Sequence, residues 1–213
     1  MTNNKSSEMK VAIIKYNAGN IYSVYCACKR LGADAVITDN PEEIHNADRV
    51  IFPGVGEARA AMDYLRANQL DQLITSLKQP VLGICIGMQL LCRESEEGAI
   101  EGENTRCLGI FDVAVNRFRP ADPDLKVPQM GWNQIQMPSG CELFQSVQDG
   151  SFVYYVHSYR VPVCPYTIAT TEYGETYSAA LRKNNFWATQ FHPEKSGSVG
   201  EQILRNFLTN IND

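Results

Sequence analysis

Four short apolar runs, at residues 11–16, 35–38, 49–52 and 80–84, alternate along the first part of the chain with longer stretches whose apolar residues recur at helical spacing. A strand buried on both faces reads as a continuous apolar run, and strands alternating with helices imply a parallel sheet with crossover helices. The helical stretches are 20–31, 57–67, 70–77 and 88–94, and Gly32 stands where a glycine should end the first of them. Beyond about residue 98 the pattern changes to short β-like runs at 108–111, 113–118, 132–137, 151–162, 167–173, 177–181 and 186–191, many of them expected to pair antiparallel. Ile203, Leu204, Phe207, Leu208 and Ile211 then predict a closing amphipathic helix over 199–211 that packs back on the sheet. The expected fold class is α/β: a largely parallel central sheet flanked by helices, with additional antiparallel strands in the second half.

With 213 residues, 44% of them hydrophobic, the chain has material for one substantial core. No repeat or linker interrupts it. The expected organisation is a single domain over 10–213 behind a polar, flexible leader at 1–9. A net charge of −5, with Lys and Arg scattered among Asp and Glu, leaves no electrostatic footprint for nucleic acid. Small molecules or other proteins are the expected partners. The start is polar and leads into a run far shorter than the roughly 20 apolar residues of a membrane span, so neither membrane nor export is expected.

Seven cysteines, odd in number and irregularly spaced, argue against a disulfide framework and for a reducing, cytoplasmic setting. With no C-x-x-C pair and three histidines, the spacing for structural zinc is lacking, and no metal is expected.

Three motifs carry candidate chemistry. In "GICIG", Cys85 stands between two glycines at a junction from β-like to helical pattern, the form of a nucleophile elbow; a helix starting at Ile86 or Gly87 would favour thiolate at the sulfur. The alternative is a buried structural cysteine. In "FHPE", His192 and Glu194 are two residues apart, so an extended backbone would point both to one side. The carboxylate would then fix one ring nitrogen and leave the other for a thiol. In "FPGVG", backbone N–H groups of Gly54 and Val55, with that of Ile86, could form an oxyanion site, since strand-end loops of such a sheet meet along one edge.

Together these residues resemble the class I, triad-type glutamine amidotransferase family: G-x-C-x-G-x-Q at Gly83 to Gln89, and His and Glu in "FHPE". Further matching segments are "YNAGN" from Tyr16, "PGVG" from Pro53, "PQMGWN" from Pro128, "YVHSY" from Tyr155 and "FHPEKSG" from Phe191, spread over nearly the whole chain after the leader. The resemblance implies a flavodoxin-like fold with no cofactor. It makes Cys85 the nucleophile, His192 the general base and then acid, and Glu194 the group that orients His192. Gln89 and Glu97 match positions that hold the α-carboxylate and α-amino ends of L-glutamine, and backbone of His157, Ser158 and Tyr159 matches another wall.

The resemblance further implies that the ammonia is delivered to a synthase partner, a (β/α)8-barrel cyclase subunit in a heterodimer. Asn20 and Trp132 are assigned to the docking face, with ordinary core as the alternative for Trp132. Lys15 stands where many relatives carry a shorter, often acidic residue, which puts the local electrostatics in question. Gly54 also allows a peptide flip, so that the Val55 N–H would face the substrate only when the partner is loaded. Three other readings stay open: a triad glutaminase serving another synthase, a catalytically inactive binding module, and a cysteine hydrolase of peptides or esters.

Overall fold

The computed structural model describes residues 9–16 and 19–211; residues 1–8 of the expected leader lie outside that range. The first half carries strands β1 (Lys10–Ile14), β2 (Asp34–Thr38), β3 (Arg49–Phe52) and β4 (Val81–Ile84) with helices α1 (Ile21–Arg30), α2 (Pro41–His45), α3 (Ala58–Ala67), α4 (Leu70–Ser76) and α5 (Ile86–Leu90). After them come β5 (Cys92–Ile100), β6 (Glu103–Arg106), β7 (Phe111–Arg117), β8 (Gln129–Gln134), β9 (Phe152–His157), β10 (Tyr159–Arg160), β11 (Thr167–Glu172), β12 (Thr176–Lys183) and β13 (Phe186–Thr189), and the chain closes with α6 (Gly197–Thr209).

The central sheet runs β11-β12-β13-β4-β3-β1-β2. Its pairs from β13 to β2 are parallel and those among β11, β12 and β13 antiparallel, as the pattern of runs predicted. Alternate residues of the buried strands feed two cores: Val11, Ile13, Ile51, Leu82 and Ile84 on one face, Ala12, Ile14, Val50, Phe52 and Val81 on the other. All five apolar positions of the predicted closing helix are buried in the first core. Among the described residues, no helix is long and apolar enough to cross a membrane.

Several expectations need correction, among them the run at 108–111, which is a loop leading into β7. The fifth helix ends at Leu90, and residues 92–100 form a strand where helix was predicted over 88–94. Partners on both sides override helix propensity there: β5 pairs antiparallel with β6 and parallel with β7, with register shifts that hide any alternation. The run at 151–162 is two strands broken at Ser158. The short α2 lay outside the periodic pattern although its start is capped, with the Asn40 side chain accepting from Glu42 N at 2.9 Å and Pro41 in the first turn.

The remaining pair of strands, β8 and β9, forms a separate ribbon in which Trp132 faces Tyr154. One side carries Gln129, Tyr155 and His157 into the interior, and the other turns Met130, Trp132 and Phe152 outward. Trp132 is 55% exposed, so ordinary core does not describe it.

Candidate active site

Cys85 sits between the end of β4 and the start of α5 with φ 55° and ψ −108°, a backbone conformation that costs a non-glycine residue on the order of 1–3 kcal/mol. The turn is held on its strand side by Cys85 N–H donating to Thr189 O at 2.8 Å and on its helix side by Gln89 N–H donating to Cys85 O at 3.2 Å. Packing overdetermines the strain. The thiol is buried, its Sγ 3.9 Å from Val156 O, and Gln190 Nε2 donates to Sγ at 3.8 Å.

His192 follows β13, the neighbour of β4 in the sheet, and is 1% exposed. Its backbone N–H donates to Tyr154 O at 2.9 Å, which ties it to β9. Its Nδ1 lies 2.8 Å from Glu194 Oε1, but Glu194 is in a 3-10 turn over Pro193–Lys195 and not in the extended segment expected. The proline starts that turn, which brings the carboxylate back under the imidazole.

Asn20 completes the arrangement: its Nδ2 donates to Glu194 Oε1 at 2.8 Å, and its Oδ1 accepts from Ser23 at 2.7 Å. Assigned from the sequence to the docking face, Asn20 thus turns its side chain to the carboxylate beneath His192. Burial by itself disfavours imidazolium, yet negative charge on Cys85 and the Glu194 carboxylate outweighs it and raises the His192 pKa to about 10. Interaction with the Cys85 side chain leads that rise, so the sulfur and the imidazole are neighbours, with Nε2 bonded to no other group among the described residues.

The oxyanion candidates also meet. A methyl built on Gly54 would lie 2.6 Å from Ile86 Cγ2, which places the Gly54 backbone against the first residue of α5. Val55 O accepts from Gly19 N at 3.3 Å. Lys15 pairs with Asp39 at 4.0 Å, both side chains being exposed.

Of the residues matched to glutamine binding, Gln89 is buried, and its Nε2 donates to Tyr159 O and to Gln190 Oε1, each at 3.0 Å. Ser158 O accepts from Phe118 N at 2.9 Å. Glu97 is held at the start of α3: its Oε2 accepts from Ala58 N at 2.9 Å, and burial raises its carboxyl pKa above the ordinary value. Glu96 instead accepts from Arg117 N and from Arg119, at 2.7 and 2.9 Å, so the acidic cluster is divided among different neighbours.

His157 is a packed neutral imidazole. Its Nδ1 donates to Tyr159 O at 2.7 Å, and Phe118, Tyr155 and Tyr177 surround the ring. Burial, with the nearby His192 charge adding to it, lowers its pKa from 6.5 to about 4. A depressed histidine pKa stabilises the fold above the unfolded value, and that stability is lost as pH falls from 6.5 toward 4. We expect a loss of about 3 kcal/mol across that window. Denaturation of wild type and His157→Phe at several pH values checks this, and equal slopes for the two would refute it.

Two residues at the site, Gln190 and Tyr16, have no role assigned from the sequence. Gln190 was findable, because it lies two positions before His192 and so on the same side of an extended strand end. Tyr16 heads the segment "YNAGN", but its contact has no signal in the spacing, since its partner Pro53 is 37 residues away.

A thiol on a strained elbow, backed by an imidazole and a carboxylate where the parallel strands β4 and β13 end, is the arrangement of a cysteine-dependent hydrolase of triad type. Residues 12–211 match the family Glutamine amidotransferase class-I, and the chain belongs to that family. The chain is 58% identical to imidazole glycerol phosphate synthase subunit HisH of Bacteroides thetaiotaomicron, over 94% of this chain and 99% of that one. Identity to the subunit of the same name is 48% in Yersinia pestis and 45% in Escherichia coli K12, with the same coverage. Among solved structures, a glutamine amidotransferase from Thermotoga maritima superposes with a TM-score of 0.66 at 15% identity, covering 95% of this chain and 97% of that one. Another glutamine amidotransferase gives 0.66 at 18% identity, covering 93% and 96%. These two speak for the fold alone.

Proposed function

We propose that this chain is the glutamine-hydrolysing subunit of an imidazole glycerol phosphate synthase, working in the cytoplasm with a (β/α)8-barrel cyclase subunit. The observation that carries the reading is the 58% identity over nearly the full length of a subunit of that name, joined to an intact Cys85–His192–Glu194 cluster.

In this reading the Cys85 thiolate attacks the carboxamide carbon of L-glutamine, and the developing oxyanion meets N–H groups of Ile86 and of the Gly54–Val55 loop. His192 gives its proton to the departing ammonia, then takes one from the water that hydrolyses the γ-glutamyl thioester. Glu194, held by Asn20, keeps Nδ1 protonated so that Nε2 faces the chemistry. Gln89 and the backbone of His157 to Tyr159 form one wall of the glutamine pocket, and Glu97 serves the α-amino end. The cyclase uses the ammonia on phosphoribulosyl-formimino-aminoimidazole-carboxamide ribonucleotide, which yields imidazole glycerol phosphate and the aminoimidazole-carboxamide ribonucleotide.

The outward side of the β8–β9 ribbon, with Met130, Trp132 and Phe152, supplies an apolar docking surface for that partner. The same ribbon touches the active site, because Tyr154 packs on Trp132 and accepts the backbone N–H of His192. Cys85 is only 5% exposed and His192 only 1%, so glutamine reaches the sulfur after an opening or a loop rearrangement. Separately, a peptide flip at Gly54 that answers to the partner would turn the Val55 N–H toward the substrate, and the isolated chain is expected to be a poor glutaminase.

The test is to incubate the chain with glutamine, with and without the barrel subunit and its nucleotide, and to assay glutamate and imidazole glycerol phosphate. Both products should appear, with glutamate formation accelerated by the loaded partner. Glutamate without imidazole glycerol phosphate would point to a different synthase, and equal glutaminase rates in both mixtures would remove the flip.

A further inference from the structure

Tyr16 lies just past the end of β1, is 5% exposed, and packs its ring on Phe52 with centroids 5.3 Å apart. Its hydroxyl donates to Pro53 O at 2.7 Å. A methyl built on Gly54 would lie 1.9 Å from that hydroxyl oxygen, so the phenol rests directly on the Gly54 backbone, on which Ile86 also closes. Three residues on, Gly19 N–H donates to Val55 O at 3.3 Å, and a methyl on Gly19 would lie 2.9 Å from Val55 Cγ2.

A peptide unit is planar, so fixing its carbonyl oxygen also fixes the direction of its N–H. Tyr16 therefore fixes the Pro53–Gly54 unit, and Gly19 fixes the Val55–Gly56 unit. Between them the Gly54–Val55 unit can still turn by opposite changes in the two dihedrals that flank it, without moving its neighbours. Glycine at position 54 removes the steric bar to either orientation.

We propose that Tyr16 is a positioning residue for glutamine hydrolysis: by holding the Pro53 carbonyl while Gly19 holds that of Val55, it restricts motion of the oxyanion loop to the single Gly54–Val55 peptide. The inference rests on the reading of that loop as the oxyanion site. The phenol touches no reacting atom. Its work is to keep the turning peptide in register with Cys85, so that a flip presents the Val55 N–H at the place where charge develops.

The test is Tyr16→Phe, which keeps the ring on Phe52 and deletes the donor, studied in the complex with the barrel subunit and nucleotide. Removal of one oxyanion donor costs on the order of 10²–10³ in rate, and a donor misplaced part of the time costs less. We expect kcat for glutamine to fall about 10-fold, with KM within about twofold and the ammonium-driven reaction of the partner unchanged.

Alkylation of Cys85 by iodoacetamide, followed by peptide mass, supplies the second readout. That displacement at a saturated carbon builds no oxyanion, so its rate should match wild type. Gly19→Ala, which disturbs the other tether, should give the same split between acylation and alkylation. A Tyr16→Phe kcat within twofold of wild type overturns the proposal, and so does a parallel loss of alkylation and turnover in both variants. Failure of the oxyanion reading itself would be seen separately, as a Val55→Pro variant, which lacks the N–H, that alkylates at Cys85 at the wild-type rate and retains full glutamine turnover.

Discussion

Cys85→Ala is expected to abolish glutamine-dependent product in the complex, by at least about 10³-fold, while ammonium still supports the partner's reaction. Without the sulfur no thioester forms, and His192 has no thiol to deprotonate. The loss will not come from unfolding, because alanine keeps the Cβ, the Thr189 tether on the backbone and the same strained dihedrals. Cys85→Gly makes a sharper comparison. It should be equally inactive yet more stable than Cys85→Ala by about 1 kcal/mol, since glycine adopts φ 55°, ψ −108° without strain. Denaturant unfolding of the two variants measures the difference. Retained glutamine use by either variant would remove Cys85 from the nucleophile's role.

The strain at Cys85 was legible because its signal is local: an apolar run, glycine on either side of the cysteine, and a helical pattern beyond. The parallel strands and α6 were legible for a related reason, since burial on both faces or on one stripe writes itself into the order of apolar residues. Strand β5 was not. Its sequence, CRESEEGAI, has neither helical nor alternating texture, and only pairing with β6 and β7 makes it a strand. The contact between His192 and Glu194 was foreseen with the wrong geometry, because a spacing of two fits an extended segment and proline instead set a 3-10 turn. Asn20 and Tyr16 reach the site from the loop after β1, across 174 and 37 residues of chain. Spacing along a sequence carries no information on contacts of that kind.

Gly87→Ala is expected to destabilise the fold by about 3 kcal/mol and to stop glutamine hydrolysis together. The added methyl would lie 1.9 Å from Phe52 O and 3.0 Å from Phe52 C. These are backbone atoms of β3, a strand hydrogen-bonded on both sides by β4 and β1, so the obstacle cannot swing away as a side chain would. Relief must come from moving α5 off the sheet or from pushing residues 52–54 outward. The first displaces the elbow that presents Cys85, and the second displaces the loop that faces it. Gly102→Ala separates crowding from backbone strain, because Gly102 has φ 83° with nothing within 4 Å of its added methyl. That variant should lose only the roughly 1–2 kcal/mol of a left-handed conformation and keep its turnover. A Gly87→Ala protein as stable as Gly102→Ala, with glutamine hydrolysis intact, would contradict this account. Neither Gly83 nor Gly87 has a positive φ, whereas Cys85 between them does. The two glycines of the elbow thus serve close approach of strand, helix and neighbouring backbone, and the strain of the turn is concentrated on the residue that carries the sulfur.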